Sequence, residues 1–164
     1  MTNVIKGVTL NTEITATNPT ARANIDTIID FFSVYLKDKA HFYSLWVEND
    51  PQVITPFVSG DIAVCTIAVH AGWDKVKAFW DPIHDGMEGT FEWFLDEVIA
   101  GEDPNTIVIK SNSKIDVIAG PVWGGPKPVK YQGRYVQIFK FDGGKVKSFE
   151  EYYDTALLNS IYGA

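Results

Sequence analysis

Residues 131–155 read YQGRYVQIFKFDGGKVKSFEEYYDT, and this stretch decides the fold. Two runs rich in Tyr, Val, Ile and Phe flank Asp142-Gly143-Gly144-Lys145, where glycine admits positive φ without steric cost. The pattern predicts two long strands joined by a tight turn. The second strand ends in groups that bind or move protons: Glu150, Glu151, Tyr152, Tyr153 and Asp154. A strand shows alternate residues to opposite faces, which puts Phe149, Glu151 and Tyr153 on one face and Val146, Ser148, Glu150, Tyr152 and Asp154 on the other. Whichever face lines the interior takes an acidic group with it.

Upstream of the hairpin, Thr106 to Ile118 alternates Ile107, Ile109, Ser111, Ser113 and Ile115 with Lys110, Asn112, Lys114 and Asp116, a strand with one buried and one wet face. Thr90 to Ala100 reads as a further strand before the turn Gly101-Glu102-Asp103-Pro104-Asn105, and Gly120 to Pro128 is a Gly/Pro-rich loop. Gly72-Trp73-Asp74 opens a helix with Val76, Phe79, Trp80 and Ile83 at helical spacing, which Pro82 should end or kink. Nearer the N-terminus, Val53 to Phe57 and Ile62 to Val69 are β-prone and broken at Ser59-Gly60-Asp61. Before them lie two helices. The first, Thr20 to Leu36, carries Ile25, Ile28, Ile29, Phe32 and Leu36 on one stripe; the second is capped by Asp38 and carries Phe42, Leu45 and Trp46. Residues 1–19 are polar and read as an arm, and residues 20–164 as a single domain. Helices first and then antiparallel strands with one buried face make an α+β domain, about three helices covering the concave side of a curved sheet.

Fourteen Lys and Arg against 21 Asp and Glu give a net charge of −7 with no basic run, which argues against nucleic acid and anionic membrane as partners. One cysteine, Cys65, allows no intramolecular disulfide, and it reads as a small buried hydrophobe among Val64, Ile67 and Val69. Neither a Cys/His zinc pattern nor a pair of histidines four apart is present, and Gly143-Gly144 leads into a strand rather than a helix, which disfavours a phosphate loop. No metal and no cofactor is expected. Nothing reads as a signal peptide and no run reaches the roughly 20 apolar residues of a membrane span, so a cytoplasmic protein is expected.

The order of elements and several local strings resemble the cone-shaped α+β barrel of the nuclear transport factor 2 (NTF2)-like superfamily, and within it the SnoaL-like and phenazine-biosynthesis A/B-type proteins. The strings are Ser44-Leu45-Trp46-Val47-Glu48-Asn49, Gly72-Trp73-Asp74, Glu102-Asp103-Pro104-Asn105, then Tyr135, Phe139, Asp142-Gly143-Gly144-Lys145-Val146 and Glu151-Tyr152-Tyr153-Asp154. The resemblance covers about residues 20 to 155. The resemblance implies a homodimer with a deep pocket between sheet and helices. It also implies an acid/base role for Glu151, which matches a glutamate in the last strand of the phenazine-type proteins. That family tends to carry a histidine at the start of helix three and basic or His residues late in helix two; here Trp73, Phe42 and Tyr43 stand there, which favours a neutral or aromatic substrate over a polycarboxylate.

The candidate site follows. Glu151 in an apolar pocket would have a raised pKa suited to proton transfer. His70, between a strand and helix three, and Tyr43 join it as catalytic candidates, with Asp154 read as a strand-end cap and His41 and His84 as surface or core groups. Trp73, Tyr135, Tyr153, Trp46 and Phe42 are expected against the substrate, and Trp123 is a second aromatic wall candidate. The expected function is a cofactor-independent acid/base enzyme, a lyase, dehydratase or isomerase, on a small, mostly apolar cyclic or aromatic molecule. The alternative is a non-catalytic small-molecule-binding or accessory protein of a biosynthetic pathway.

Overall fold

The computed structural model describes residues 2–55 and 68–162. In chain order the elements are β1 (Asn3–Ile5), β2 (Val8–Leu10), α1 (Pro19–Val34), α2 (Lys39–Ser44), β3 (Gln52–Thr55), β4 (Ala68–Ala71), α3 (Trp73–Gly86), β5 (Met87–Ala100), β6 (Thr106–Ala119), a 3₁₀ turn (Pro121–Trp123), β7 (Lys127–Asp142), β8 (Lys145–Tyr153) and α4 (Thr155–Tyr162). The strands form one curved, unclosed sheet in the order β1-β2-β5-β6-β7-β8-β3-β4. The fold is α+β, as expected. Two pairings, β2 with β5 and β3 with β8, are parallel, so the sheet is mixed rather than antiparallel. Both parallel partners are far apart in sequence, as a parallel pair requires.

The hairpin closes as its glycines predict, with Gly143 at φ 56° and Gly144 at φ 78°. The simple alternation along β8 fails at one point. Phe141 pairs with Val146 and Lys140 with Ser148, so Lys147 is an extra residue, a bulge. Val146 thereby joins Phe149 on the buried face instead of opposing it. Beyond the bulge, Phe149, Glu151 and Tyr153 stand opposite the inward residues Phe139, Gln137 and Tyr135.

α1 starts where Asn18 accepts hydrogen bonds from the Thr20 and Ala21 amides, with Pro19 in the first turn, and it buries Ile25, Ile28, Phe31 and Phe32. It ends at Val34, and Leu36 lies beyond it in the left-handed region at φ 59°. Asp38 caps α2 through the His41 amide at 2.9 Å. α3 continues four residues past Pro82, which was expected to end or kink the helix and does not end it.

Residues 1–19 are not merely an arm. β1 and β2 form a hairpin on the sheet edge, and Val8 and Leu10 are buried beside β5. α4, which the sequence pattern did not announce, is a fourth helix; Asp154 caps it through the Leu157 amide at 2.9 Å. The expected strand Ile62 to Val69 and Cys65 lie almost wholly outside the described residues, apart from Ala68 and Val69 at the start of β4.

One end of the concave face is filled solid. Phe31 stacks on Phe149 at 5.3 Å between centroids and meets Phe139 edge-on at 5.2 Å, with Phe42 at 4.7 Å and Trp46 at 6.1 Å. The other end is open.

Candidate active site

Two strand positions along from this plug, the inner face of β7 and β8 changes from Phe139 and Phe149 to Gln137 and Glu151, then to Tyr135 and Tyr153. A cavity of ≈ 120 Å³ opens here. The sheet contributes Met87, Phe91 and Trp93 from β5, Ile115 from β6, Tyr135 from β7, and Glu151 and Tyr153 from β8. The opposite wall is Phe79, Trp80 and Ile83 of α3 with Tyr35 at the end of α1, and Trp123 and Leu158 complete it. Trp123 is held there by its indole N–H, which donates to the Pro82 carbonyl at 3.1 Å.

Glu151 is the carboxylate of this cavity among the described residues, and no Lys, Arg or His lines it there. It is only partly exposed, where it borders the cavity. Burial among aromatic rings disfavours its charge and pushes its pKa up to about 7, against a pull downward from the Gln137 amide, whose Nε2 donates to Glu151 Oε2 at 2.7 Å. Gln137 is itself anchored by Ser111, the Oγ of which donates to Gln137 Oε1 at 2.8 Å. Beside them Tyr135 Oη and Ser113 Oγ share a hydrogen bond of 2.7 Å. Burial first, and the Glu151 charge second, push the pKa of Tyr135 and of Tyr153 well above the ordinary tyrosine range, so both phenols stay protonated. The result is one proton-exchanging group near neutrality, flanked by two neutral hydroxyls, in an apolar chamber.

The structure thus brings together Glu151, Tyr135 and Tyr153, and adds Trp123. The remaining candidates stand elsewhere. His70 is on β4, opposite Val53, with its ring against Phe79 at 5.0 Å, one layer behind the cavity wall; burial and then the Lys75 charge lower its pKa. Tyr43 of α2 does not line the cavity and donates to Asp81 Oδ1 of α3 at 2.7 Å. Trp73 packs edge-on against Tyr43 and donates its indole N–H to the Glu48 carbonyl at 2.8 Å. Phe42 and Trp46 are buried in the plug around Phe31. The reason is common to these last two: Phe42 of α2 and Trp46, which lies beyond the helix end and bridges to Val146 instead of continuing its stripe, both pack at the filled end of the sheet, so their rings replace a cavity rather than line one. His84 is neither surface nor a satisfied core group: it nests against Phe42 at 4.5 Å and Tyr35 at 5.6 Å, and its Nε2 is buried without a hydrogen-bond partner. Burial and then the Lys39 charge lower its pKa to about 4.

Gln137, Ser111 and Ser113 were not anticipated. The signal was present, since both serines fall on the isoleucine face of β6 and Gln137 is in phase with Tyr135 and Phe139. Among the described residues no group of three or more His, Cys, Asp or Glu side chains could hold a metal ion, and no helix is long and apolar enough to cross a membrane.

A phenazine biosynthesis-related protein of Pseudomonas aeruginosa superposes on this chain with a TM-score of 0.70 at 17% identity, over 92% of this chain and 87% of its own. The chain has the NTF2-like fold. An NTF2-like protein of unknown function from Burkholderia pseudomallei matches with a TM-score of 0.65 at 17% identity, over 87% of this chain and 98% of its own. A candidate SnoaL-like polyketide cyclase from Jannaschia matches with a TM-score of 0.66 at 13% identity, over 92% and 99%. At these identities the likeness is one of fold. No protein-family model matches the sequence, and no curated protein matches it as a relative. An NTF2-like sheet that leaves one end of its concave face unfilled accounts for why this cavity lies where it does.

Proposed function

We propose that this NTF2-like protein is a cofactor-independent acid/base enzyme, a lyase, dehydratase or isomerase, acting on a small, mostly apolar cyclic or aromatic molecule. The observation that carries the reading is Glu151: a carboxylate in an aromatic chamber, with its pKa pushed up to about 7 and two neutral phenols beside it. A group that titrates near neutrality removes a proton as the carboxylate and returns it as the acid within one cycle. Removal of a proton next to a carbonyl puts charge on the carbonyl oxygen, and the Tyr135 and Tyr153 hydroxyls are donors suited to meet it. The apolar walls exclude water, which strengthens those hydrogen bonds. A second carboxylate on the ligand would be unpaired beside Glu151, so uncharged ligands are favoured. The enzyme is proposed to work as a cytoplasmic homodimer. The fold neighbours described as a phenazine biosynthesis-related protein and a candidate polyketide cyclase support a reading in terms of cyclic molecules.

The test is a panel of cyclic ketones and phenols incubated with the protein in deuterated buffer and followed by proton NMR. The reading expects deuterium incorporation next to the carbonyl that falls about 10²–10⁴-fold in Glu151→Gln while binding persists. Tight binding with no exchange that depends on Glu151 would favour the accessory, ligand-binding alternative.

A further inference from the structure

Three polar side chains of β6 and β7, Gln137, Ser111 and Ser113, are buried on the inner face where alternation along the strands calls for apolar ones; Ser113 bonds to Tyr135, and the other two bond to each other. Gln137 is 0% exposed and Ser111 is 2% exposed, and their inward neighbours along β6 and β7 include Ile109 and Phe139. Neither borders the cavity. An aliphatic side chain of similar volume at either place would pack without desolvating an amide or a hydroxyl, so core stability alone does not call for them. What they do instead is visible in their bonds. Ser111 Oγ donates to Gln137 Oε1 at 2.8 Å, and Gln137 Nε2 donates to Glu151 Oε2 at 2.7 Å, a line of three side chains across three neighbouring strands.

The direction of the line follows from chemistry. A charged carboxylate only accepts, so the amide must turn its NH₂ toward Glu151, and its oxygen must then face a donor. Ser111 is that donor. Without it the amide is free to turn over and set its oxygen against the carboxylate. We propose that Ser111 and Gln137 are positioning residues that tether Glu151 by Oε2, leaving Oε1 as the oxygen that takes and returns the ligand's proton. The inference rests on Glu151 being the acid/base.

The other groups facing Glu151 do not provide this tether. Tyr131 and Tyr135 of β7 and Tyr153 of β8 are neutral phenols that feel its charge; Asp154, at the end of β8, is exposed and caps α4. From α1, α3, α4 and the 3₁₀ turn the cavity receives Tyr35, Phe79, Trp80, Ile83, Leu158 and Trp123, none of them charged. Among the described residues Gln137 is therefore the donor that offsets burial and keeps the Glu151 proton exchangeable near neutral pH.

The experiment is a carbon-13 NMR titration of the Glu151 carboxyl in the full chain, in wild type, Gln137→Met, Ser111→Ala and Ser111→Thr. Loss of the donor destabilises the charged form, so the midpoint of Gln137→Met is expected to rise by about one unit, a tenfold gain in proton affinity. Ser111→Ala raises it less, and Ser111→Thr, which keeps the hydroxyl, restores the wild-type value. A folded Gln137→Met with an unmoved or lowered midpoint overturns the tether; should that variant fail to fold, an unmoved midpoint in Ser111→Ala overturns it. The tether is read from the difference between variant and wild type. A wild-type midpoint in the ordinary carboxylate range would sink the acid/base reading without deciding that difference, so the two failures are distinct.

Discussion

Tyr135 and Tyr153 stand directly opposite each other on β7 and β8, their ring centroids 6.0 Å apart, and Glu151 is the next inward residue on β8. The pair places two protonated phenols beside one carboxylate. If they hold an oxyanion, Tyr135→Phe and Tyr153→Phe should each lower kcat about 10–10³-fold on a proton-exchange substrate, with KM little changed, as steady-state kinetics will show. A change confined to KM would assign them to ground-state packing.

Burial of Glu151 has a stability consequence with a definite sign. Its pKa is raised from 4.5 to about 7 in the folded state, so the native chain binds this proton more tightly than the unfolded chain. Below about pH 4.5 both states are protonated and nothing is lost; as pH rises through 7 the native state bears the cost of a buried charge, about 3 kcal/mol at most. Glu151→Gln should therefore be more stable than wild type at pH 8 and no more stable at pH 4. Urea unfolding at the two pH values checks this.

His84 acts in the opposite direction. Its pKa is lowered from 6.5 to about 4, so the unfolded chain takes up a proton that the native chain refuses. Its contribution is fully present above pH 6.5 and is lost as pH falls toward 4. His84→Phe, which keeps the ring against Phe42, should flatten this loss, measured as the melting temperature between those pH values. An unchanged acid slope would show that His84 is not responsible.

Gly133 is required by the tyrosines. A Cβ built there would lie 2.4 Å from Tyr131 Cε1 and 2.5 Å from Tyr135 Oη. Gly133→Ala should displace both rings, cost about 1–3 kcal/mol in chemical unfolding and break the bond between Tyr135 and Ser113.

Much of this was legible in the sequence. The DGGK turn, the isoleucine face of β6 and the cap at Asp38 each rest on a local rule, and each is found as read. Glu151 and Tyr153 were reachable because they lie in regular alternation downstream of the bulge. Val146 was misplaced because a single bulged residue, Lys147, reverses parity, and the local sequence carries no mark of it. Phe42 and Trp46 were misplaced for another reason: helical spacing says which face of a helix is apolar, but only the tertiary packing of Phe31, Phe139 and Phe149 says whether that face meets a cavity or a filled core. Parallel pairing of β2 with β5 is likewise a long-range property, invisible to a window of ten residues.

The central claim is that Glu151 exchanges its proton near neutral pH. The most direct test is infrared difference spectroscopy of the wild-type protein, following the band of a protonated carboxyl that vanishes in Glu151→Gln. The account predicts a band half titrated close to pH 7. A carboxyl already ionised through the weakly acid range, titrating near its ordinary value of 4.5, would contradict it.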